Sequence, residues 1–244
     1  MILYTSGTTG KPKGVVSTHG NIEAQTVSLV EAWEWKEDDH IPLFLPLNHI
    51  HGLINSLHCP LWIGAKVDIL GKFEVHKITG AVSDKNYTVF TAVPTIYFSL
   101  IEEMQQMDKN ELLKLSNKFQ KMRLVMSGSA ALASVIHSKW AELTDQIILE
   151  RYGMTEIGMA ISNPYRGERR AGSIGFPLPK VEVCLLDKEK FIKEENIPGE
   201  IMVKGPQVFL EYWGKPVETN KCFKDGWFKT GDIALIEKGY FRVL

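Results

Sequence analysis

Short apolar runs along this chain alternate with stretches whose apolar positions recur every third or fourth residue, the pattern of strands alternating with amphipathic helices. Residues 17–33 open on Ser17 and Thr18, both good capping residues, and carry Ile22, Leu29, Val30 and Trp33, which predicts a helix. The run Ile41-Pro42-Leu43-Phe44-Leu45 predicts a strand, 52–62 a buried helix, 65–70 a strand, 73–83 a helix, and 87–93 a strand that Pro94 ends. Beyond it the spacing predicts a helix over 96–107, a strand over 123–126, a helix over 132–143, and a strand over 146–149 feeding a turn at Tyr152-Gly153-Met154-Thr155-Glu156.

This alternation implies the α/β class with a mainly parallel, doubly wound sheet, in which ligands bind beyond the carboxyl ends of the strands. From about Gly172 the character changes. Residues 181–186 and 200–203 have strand periodicity with no helix between them, and the charged stretch 187–198 reads as a solvated hairpin loop closed by Pro198-Gly199. The chain therefore divides into an α/β core over 1–171 and a small β-rich subdomain over 172–244.

The candidate chemistry starts at residues 4–14, Tyr4-Thr5-Ser6-Gly7-Thr8-Thr9-Gly10-Lys11-Pro12-Lys13-Gly14. Glycines bring backbone N–H groups close to an anion, the Ser and Thr hydroxyls donate further hydrogen bonds, and the lysines supply counter-charge, so the segment suits a polyphosphate. A plain surface turn would account for the glycines but not for the hydroxyls and lysines. The Walker loop is excluded, because Gly7 and Gly10 are too close together and Pro12, not Ser or Thr, follows Lys11.

Further motifs follow in order: Leu45-Pro46-Leu47-Asn48-His49-Ile50-His51-Gly52, Val93-Pro94-Thr95, Ser127-Gly128-Ser129-Ala130, Arg151-Tyr152-Gly153-Met154-Thr155-Glu156 and Trp227-Phe228-Lys229-Thr230-Gly231-Asp232. Together with the first segment they resemble the adenylate-forming ligases, the superfamily of acyl-CoA synthetases, luciferases and peptide-synthetase adenylation domains. The resemblance spans nearly the whole chain. It implies ATP-dependent activation of a carboxylic acid to an acyl-adenylate, followed by thioester formation with coenzyme A.

By that resemblance Thr5, Ser6, Gly7, Thr8, Thr9, Gly10, Lys11 and Lys13 would hold the β and γ phosphates, Thr155 the α-phosphate and Glu156 a Mg²⁺ ion. Gly128, Ser129, Tyr152, Gly153 and Met154 would form the adenine side, with Tyr152 stacked on the base, and Asp232 would accept from the ribose hydroxyls. His49 would orient or gate the acyl carboxylate, whereas His51 would pack on the helix that follows. Ser127, Gly128 and Ala130 would shape the acyl wall, with Met159 also on the substrate side.

Within the superfamily, Tyr152 to Met159, Ser162-Asn163-Pro164 and Arg170 to Gly175 look most like malonyl-CoA synthetases, including mitochondrial animal members. Malonate carries a second carboxylate, for which a planar bidentate donor is the best fixed cation. Arg151, Arg169 and Arg170 are the candidates, the last where the subgroup keeps an arginine, although Ala171 replaces its usual proline. The alternatives are a medium- or long-chain fatty acyl-CoA ligase and a non-catalytic nucleotide-binding fragment.

Composition changes this picture little. At 244 residues, 44% hydrophobic and 23% charged, the chain can bury a sizeable core. Its 28 basic and 29 acidic residues leave a formal charge of −1, which gives no nucleic-acid footprint, so the expected partners are small molecules. Three cysteines without metal-ligand spacing, Cys59, Cys184 and Cys222, point to thiols rather than a disulfide framework. No apolar run approaches the roughly 18 residues of a membrane span. Met1-Ile2-Leu3 reads as the start of a core strand, and Tyr240 to Leu244 as a point where the family continues toward a hinge and a domain carrying a catalytic lysine. The expectation is therefore a chain truncated at both ends, with little ligase activity as it stands, and with its compartment, mitochondrial or cytosolic by resemblance, unreadable from this start.

Overall fold

In the computed structural model, which describes residues 1–5, 12–192 and 194–244, the chain forms a helix-flanked parallel sheet joined to an antiparallel β subdomain. Strands β1 (Ile2–Thr5) and β2 (Lys13–Val16) form an antiparallel hairpin. Helix α1 (His19–Ala32) starts at a reciprocal cap, in which Thr18 Oγ1 accepts from the Asn21 N–H at 3.1 Å and Asn21 Oδ1 accepts from the Thr18 N–H at 2.9 Å. Strand β3 (His40–Leu43) precedes a π-type helical segment, His51–His58, that continues into α2 (Cys59–Trp62), and β4 (Lys66–Ile69) pairs parallel to β3.

Helix α3 (Val75–Asp84), β5 (Val89–Ala92), α4 (Pro94–Gln106), α5 (Lys109–Gln120), β6 (Leu124–Ser127), α6 (Ser134–Thr144) and β7 (Leu149–Met154) follow. Pro94 sits at the first position of α4, where its missing N–H costs nothing. Strands β5, β6 and β7 pair in parallel, and β8 (Gly158–Ser162) and β9 (Phe176–Pro177) extend that sheet antiparallel. Alternation along the strands divides the core. Val89, Leu124, Met126 and Leu149 join α1 and the π-type segment on one face, while Phe90, Ala92 and Val125 pack on Tyr97, Phe119 and Trp140 on the other. Helices thus cover both faces, as the doubly wound reading requires.

The subdomain contains β10 (Glu182–Asp187), β11 (Lys190–Ile192), β12 (Gly199–Lys204), β13 (Glu211–Tyr212), α7 (Pro216–Lys221), β14 (Phe223–Lys224), β15 (Trp227–Glu237) and β16 (Tyr240–Val243). Its antiparallel sheet runs β11-β10-β12-β15-β14, with β16 also on β15. Strand β13 leaves it and pairs with β2, Tyr212 opposite Val15, so residues from both parts of the chain share one apolar cluster.

Five details depart from the sequence-based expectations, one being that the stretch expected as a solvated loop contains β11, whose Ile192 is buried. The first strand is a surface strand rather than a core one, with Ile2 42% and Tyr4 65% exposed. Residues 109–120, unassigned from the sequence, form α5, capped by Asp108, whose carboxylate accepts from the Asn110 and Glu111 N–H groups. Strand β7 begins later than 146 and runs through Tyr152, Gly153 and Met154, so the turn lies at 155–157. The expected regular helix over 52–62 is wound as a π-type turn for most of its length, and Gly52 explains how it packs: a Cβ there would collide with the Pro46 carbonyl oxygen. Such turns recur at functional sites.

A buried ion pair ties β3 to the sheet. Asp39, 1% exposed, accepts from Arg123 Nε at 2.7 Å and from Nη2, from Thr88 Oγ1 at 2.7 Å and from the Lys36 N–H at 2.8 Å, while Arg123 Nη1 donates to the Trp33 carbonyl at 2.9 Å. Burial raises the Asp39 pKa, but the hydrogen bonds from Arg123 and Thr88 outweigh it and hold the carboxyl below its usual range. Its stabilisation is therefore present above the unfolded carboxylate pKa and lost as pH falls through the folded value. Asp39→Asn leaves Arg123 underpaired and is expected to cost about 3 kcal/mol, measured by urea unfolding at pH 7.

Glu150 has the opposite sign. Burial pushes its carboxyl up to about 7 even though it accepts from the Gly172 N–H at 2.9 Å. A raised acid stabilises the fold below its unfolded pKa and loses that contribution as pH climbs through the folded value. Glu150→Gln is expected to flatten the decline of the thermal midpoint between about pH 4.5 and 7, which a melting series across that range checks.

Candidate active site

A cavity of about 1380 Å³ opens beyond the carboxyl ends of β3, β5, β6 and β7 and is closed on one side by β12 and β15 of the subdomain. Its two ends differ in the residues that line them. At the first, Thr5 ends β1 and Lys13 begins β2, with Lys13 Nζ 4.8 Å from the centre of the Tyr212 ring. Ser6, Gly7, Thr8, Thr9, Gly10 and Lys11 lie outside the described residues. Thr155 and Glu156 line this end from the β7–β8 turn. Glu156 is 5% exposed, and its Oε1 accepts from the Tyr212 hydroxyl at 2.9 Å. Gly153 and Met154 also line the cavity, where a register shift between Tyr152 and Gly153 re-aims the strand.

At the other end, Gly52 lets the π-type segment pack tightly, and that packing seats His51 in the wall. Its Nε2 lies 2.7 Å from Thr91 Oγ1 and its Nδ1 3.2 Å from Ser129 Oγ. Burial, then the nearby Arg151 charge, then His49 hold its pKa well below the ordinary histidine value, so the ring is neutral. Ser129 itself is held at φ +70°. Arg151 lies behind this wall on β7, 3% exposed, and its Nε, Nη1 and Nη2 have no hydrogen-bond partner among the described residues. Its side chain passes so close to Gly128 that a Cβ there would collide with the guanidinium. Burial brings its pKa down to about 9, which leaves it charged at neutral pH.

The candidate arginines separate cleanly. Arg169 donates to the Ile147 carbonyl at 2.8 Å and the Tyr165 carbonyl at 3.1 Å. Arg170 is not at this cavity. It lines a second depression, where it pairs with Glu168 at 2.9 Å and stacks over Tyr240 with its guanidinium 3.9 Å from the ring centre. Among the described residues Arg151 alone of the three is buried without a hydrogen-bond partner, and like the other two it is not one of the residues that line the cavity.

His49 lines the cavity from its exposed rim, and Met159, 2% exposed, lines its floor. Ser127 is buried at the end of β6, and its hydroxyl has no partner among the described residues. The Tyr152 hydroxyl donates to Asp232 Oδ2 at 2.6 Å, which brings together the two residues matched to adenine and ribose. Sequence reasoning missed Tyr212, which lies in no quoted motif, and gave His51 only a packing role. Among the described residues no group of three or more His, Cys, Asp or Glu side chains could hold a metal by itself, and no helix is long and apolar enough to cross a membrane.

Comparison with known proteins agrees with this geometry. The chain is 45% identical to a malonate–CoA ligase of Arabidopsis thaliana and 43% identical to the mitochondrial malonate–CoA ligase ACSF3 of Homo sapiens; all of this chain is covered, against 42% and 47% of those proteins. It thus spans about half the length of the curated relatives it matches. Among solved structures, a malonyl-CoA ligase in ternary product complex with methylmalonyl-CoA and AMP superposes with a TM-score of 0.91 at 36% identity, over all of this chain and 52% of that one. The model of the AMP-binding enzyme family matches residues 1–213, and with its parallel sheet, bulged β7 and two-ended cavity this chain belongs to that family.

Proposed function

We propose that this chain carries the ATP- and acyl-binding site of an acid–thiol ligase that activates malonate or methylmalonate to an acyl-adenylate and then to a coenzyme A thioester. One observation carries the choice of substrate: the buried, charged guanidinium of Arg151, without a hydrogen-bond partner among the described residues, behind the His51–Ser129 wall. An unpaired buried charge is costly, and a carboxylate that pairs with it bidentately relieves that cost. Monocarboxylic acids would leave it unpaired.

The chemistry divides between the two ends of the cavity. A carboxylate is a poor acyl donor because its leaving group would be oxide, so activation precedes thioester formation. In this reading the reacting carboxylate attacks the α-phosphorus of ATP and the bond to the departing pyrophosphate oxygen breaks. The thiolate of coenzyme A then attacks the acyl carbonyl carbon and AMP leaves. Thr5 and Lys13, with residues 6–11, take the β and γ phosphates, Thr155 the α-phosphate, and His49 meets the acyl carboxylate at the rim. Tyr152 offers its face to adenine, and the ribose hydroxyls replace the Tyr152 hydroxyl on Asp232. The protein supplies mainly positioning and charge neutralisation.

The donor set fits Mg²⁺ brought by the nucleotide. Mg²⁺ binds through one or two carboxylates plus phosphate oxygens and keeps several waters, and Glu156 offers such a carboxylate at the phosphate end. Bound there, the ion would neutralise charge that develops on the phosphates. The division into a 1–171 core and a 172–244 subdomain is part of the same proposal, as is a mitochondrial location, which the animal relative's name supports.

The test is calorimetric titration of malonate, methylmalonate, acetate and octanoate in the presence of a non-hydrolysable ATP analogue. Replacing Arg151 by Met should weaken malonate binding by roughly 10- to 150-fold, the worth of a hydrogen-bonded charge pair, and leave octanoate unchanged. Unchanged malonate affinity in that variant, or preferential binding of octanoate by the wild type, would overturn the assignment.

A further inference from the structure

The phosphate end of the cavity is organised by a side chain outside every motif. Tyr212 is 4% exposed, its backbone N–H donates to Thr219 Oγ1 at 3.0 Å, and its ring lies 4.8 Å from that of Phe209. Its hydroxyl donates to Glu156 Oε1 at 2.9 Å, and Lys13 Nζ sits over the same ring. Burial and the adjacent Glu156 carboxylate push the phenol far above its usual pKa, so it remains a donor at neutral pH.

The backbone around Tyr212 makes the same connections. The Phe209 N–H donates to the Glu156 carbonyl at 2.8 Å, so Glu156 is held at both its main chain and its carboxylate by residues three apart. The Leu210 and Trp213 N–H groups donate to Val16 and Gly14 of the β2 region at 2.9 and 2.8 Å, and Asn21 Nδ2 of α1 donates to the Pro206 and Val208 carbonyls at 2.7 and 2.9 Å. The segment is fixed on three sides while the Tyr212 hydroxyl addresses the Glu156 carboxylate.

We propose that Tyr212 is a positioning residue for nucleotide-bound Mg²⁺: its hydroxyl orients the Glu156 carboxylate, and its ring holds the Lys13 ammonium at the same end of the cavity. The inference rests on the reading of this cavity as an ATP site. With one oxygen of Glu156 engaged by the phenol, the carboxylate is pre-set to offer the other, as hydrogen-bonding partners outside a metal's ligand set commonly do.

Tyr212→Phe keeps the ring over Lys13 and against Phe209 and removes only the hydroxyl. ATP binding is measured by calorimetry across a series of Mg²⁺ concentrations for the wild type, Tyr212→Phe, Glu156→Gln and the double variant, with thermal midpoints alongside. The Mg²⁺ concentration that gives half-maximal enhancement should rise roughly 10- to 100-fold in Tyr212→Phe, with ATP affinity in the absence of Mg²⁺ within about twofold of wild type. In the Glu156→Gln background the same change should add nothing, because the two side chains act as one unit. A Tyr212→Phe protein with wild-type Mg²⁺ dependence overturns the proposal and leaves the ATP reading standing. Equal losses with and without Mg²⁺ also overturn it, by making Tyr212 purely structural. A wild type that binds no ATP at any Mg²⁺ concentration overturns the ATP reading, and the proposal falls with it.

Discussion

The short pairing of β13 with β2 is the contact on which the functional geometry depends. It is only two residues long, Glu211 opposite Val16 and Tyr212 opposite Val15, yet it carries a segment of the β subdomain onto the strand that begins with Lys13. Phe209, Tyr212, Phe223 and Phe228 stack around it at ring separations between 4.8 and 5.7 Å, which buries the crossing in aromatic surface. Without that crossing Glu156 would lose both its main-chain and side-chain partners from residues 209–212. The cavity would then lack the wall that joins its phosphate end to the subdomain.

At the His51–Ser129 end the balance is reversed. Hydrogen bonds hold Glu156 and Tyr212 at the Lys13 end, whereas Arg151 is left charged, buried and without a hydrogen-bond partner among the described residues, a state that costs the fold free energy. The surrounding apolar clusters of the doubly wound sheet offset that cost. Gly128 is part of the arrangement, since only a residue without a side chain lets the guanidinium lie against the strand end. The neutral His51 beside it keeps the Arg151 charge from being repelled by a second cation.

Much of this was legible in the sequence, and the failures have physical causes. The strand–helix alternation, the β-rich turn after Gly172 and the order of the motifs identified the fold class, because apolar periodicity and turn residues report local geometry directly. Helix α5 was missed although Asp108 is a good cap and Leu115 and Phe119 are buried at helical spacing, since its exposed face carries Lys and Asn that dilute the pattern. The turn expected over 152–156 lies at 155–157, because Gly153 serves a bulge in β7, where a Cβ would collide with the Gly158 carbonyl. Tyr212 and Arg151 show the limit most clearly. The phenol acts across 56 residues of sequence on Glu156, and nothing local distinguishes Arg151 from Arg169 or Arg170 until the fold gives the latter two partners and leaves the first without one.

The most direct measurement is a crystal structure of the protein with malonate, Mg²⁺ and a non-hydrolysable ATP analogue. A distal carboxylate paired with Arg151 at about 2.8 Å, with the phosphates between Lys13 and Glu156, is the outcome expected if the proposed assignment holds. Malonate bound against Arg170, or an occupied cavity in which the Arg151 guanidinium still has no partner, would contradict it.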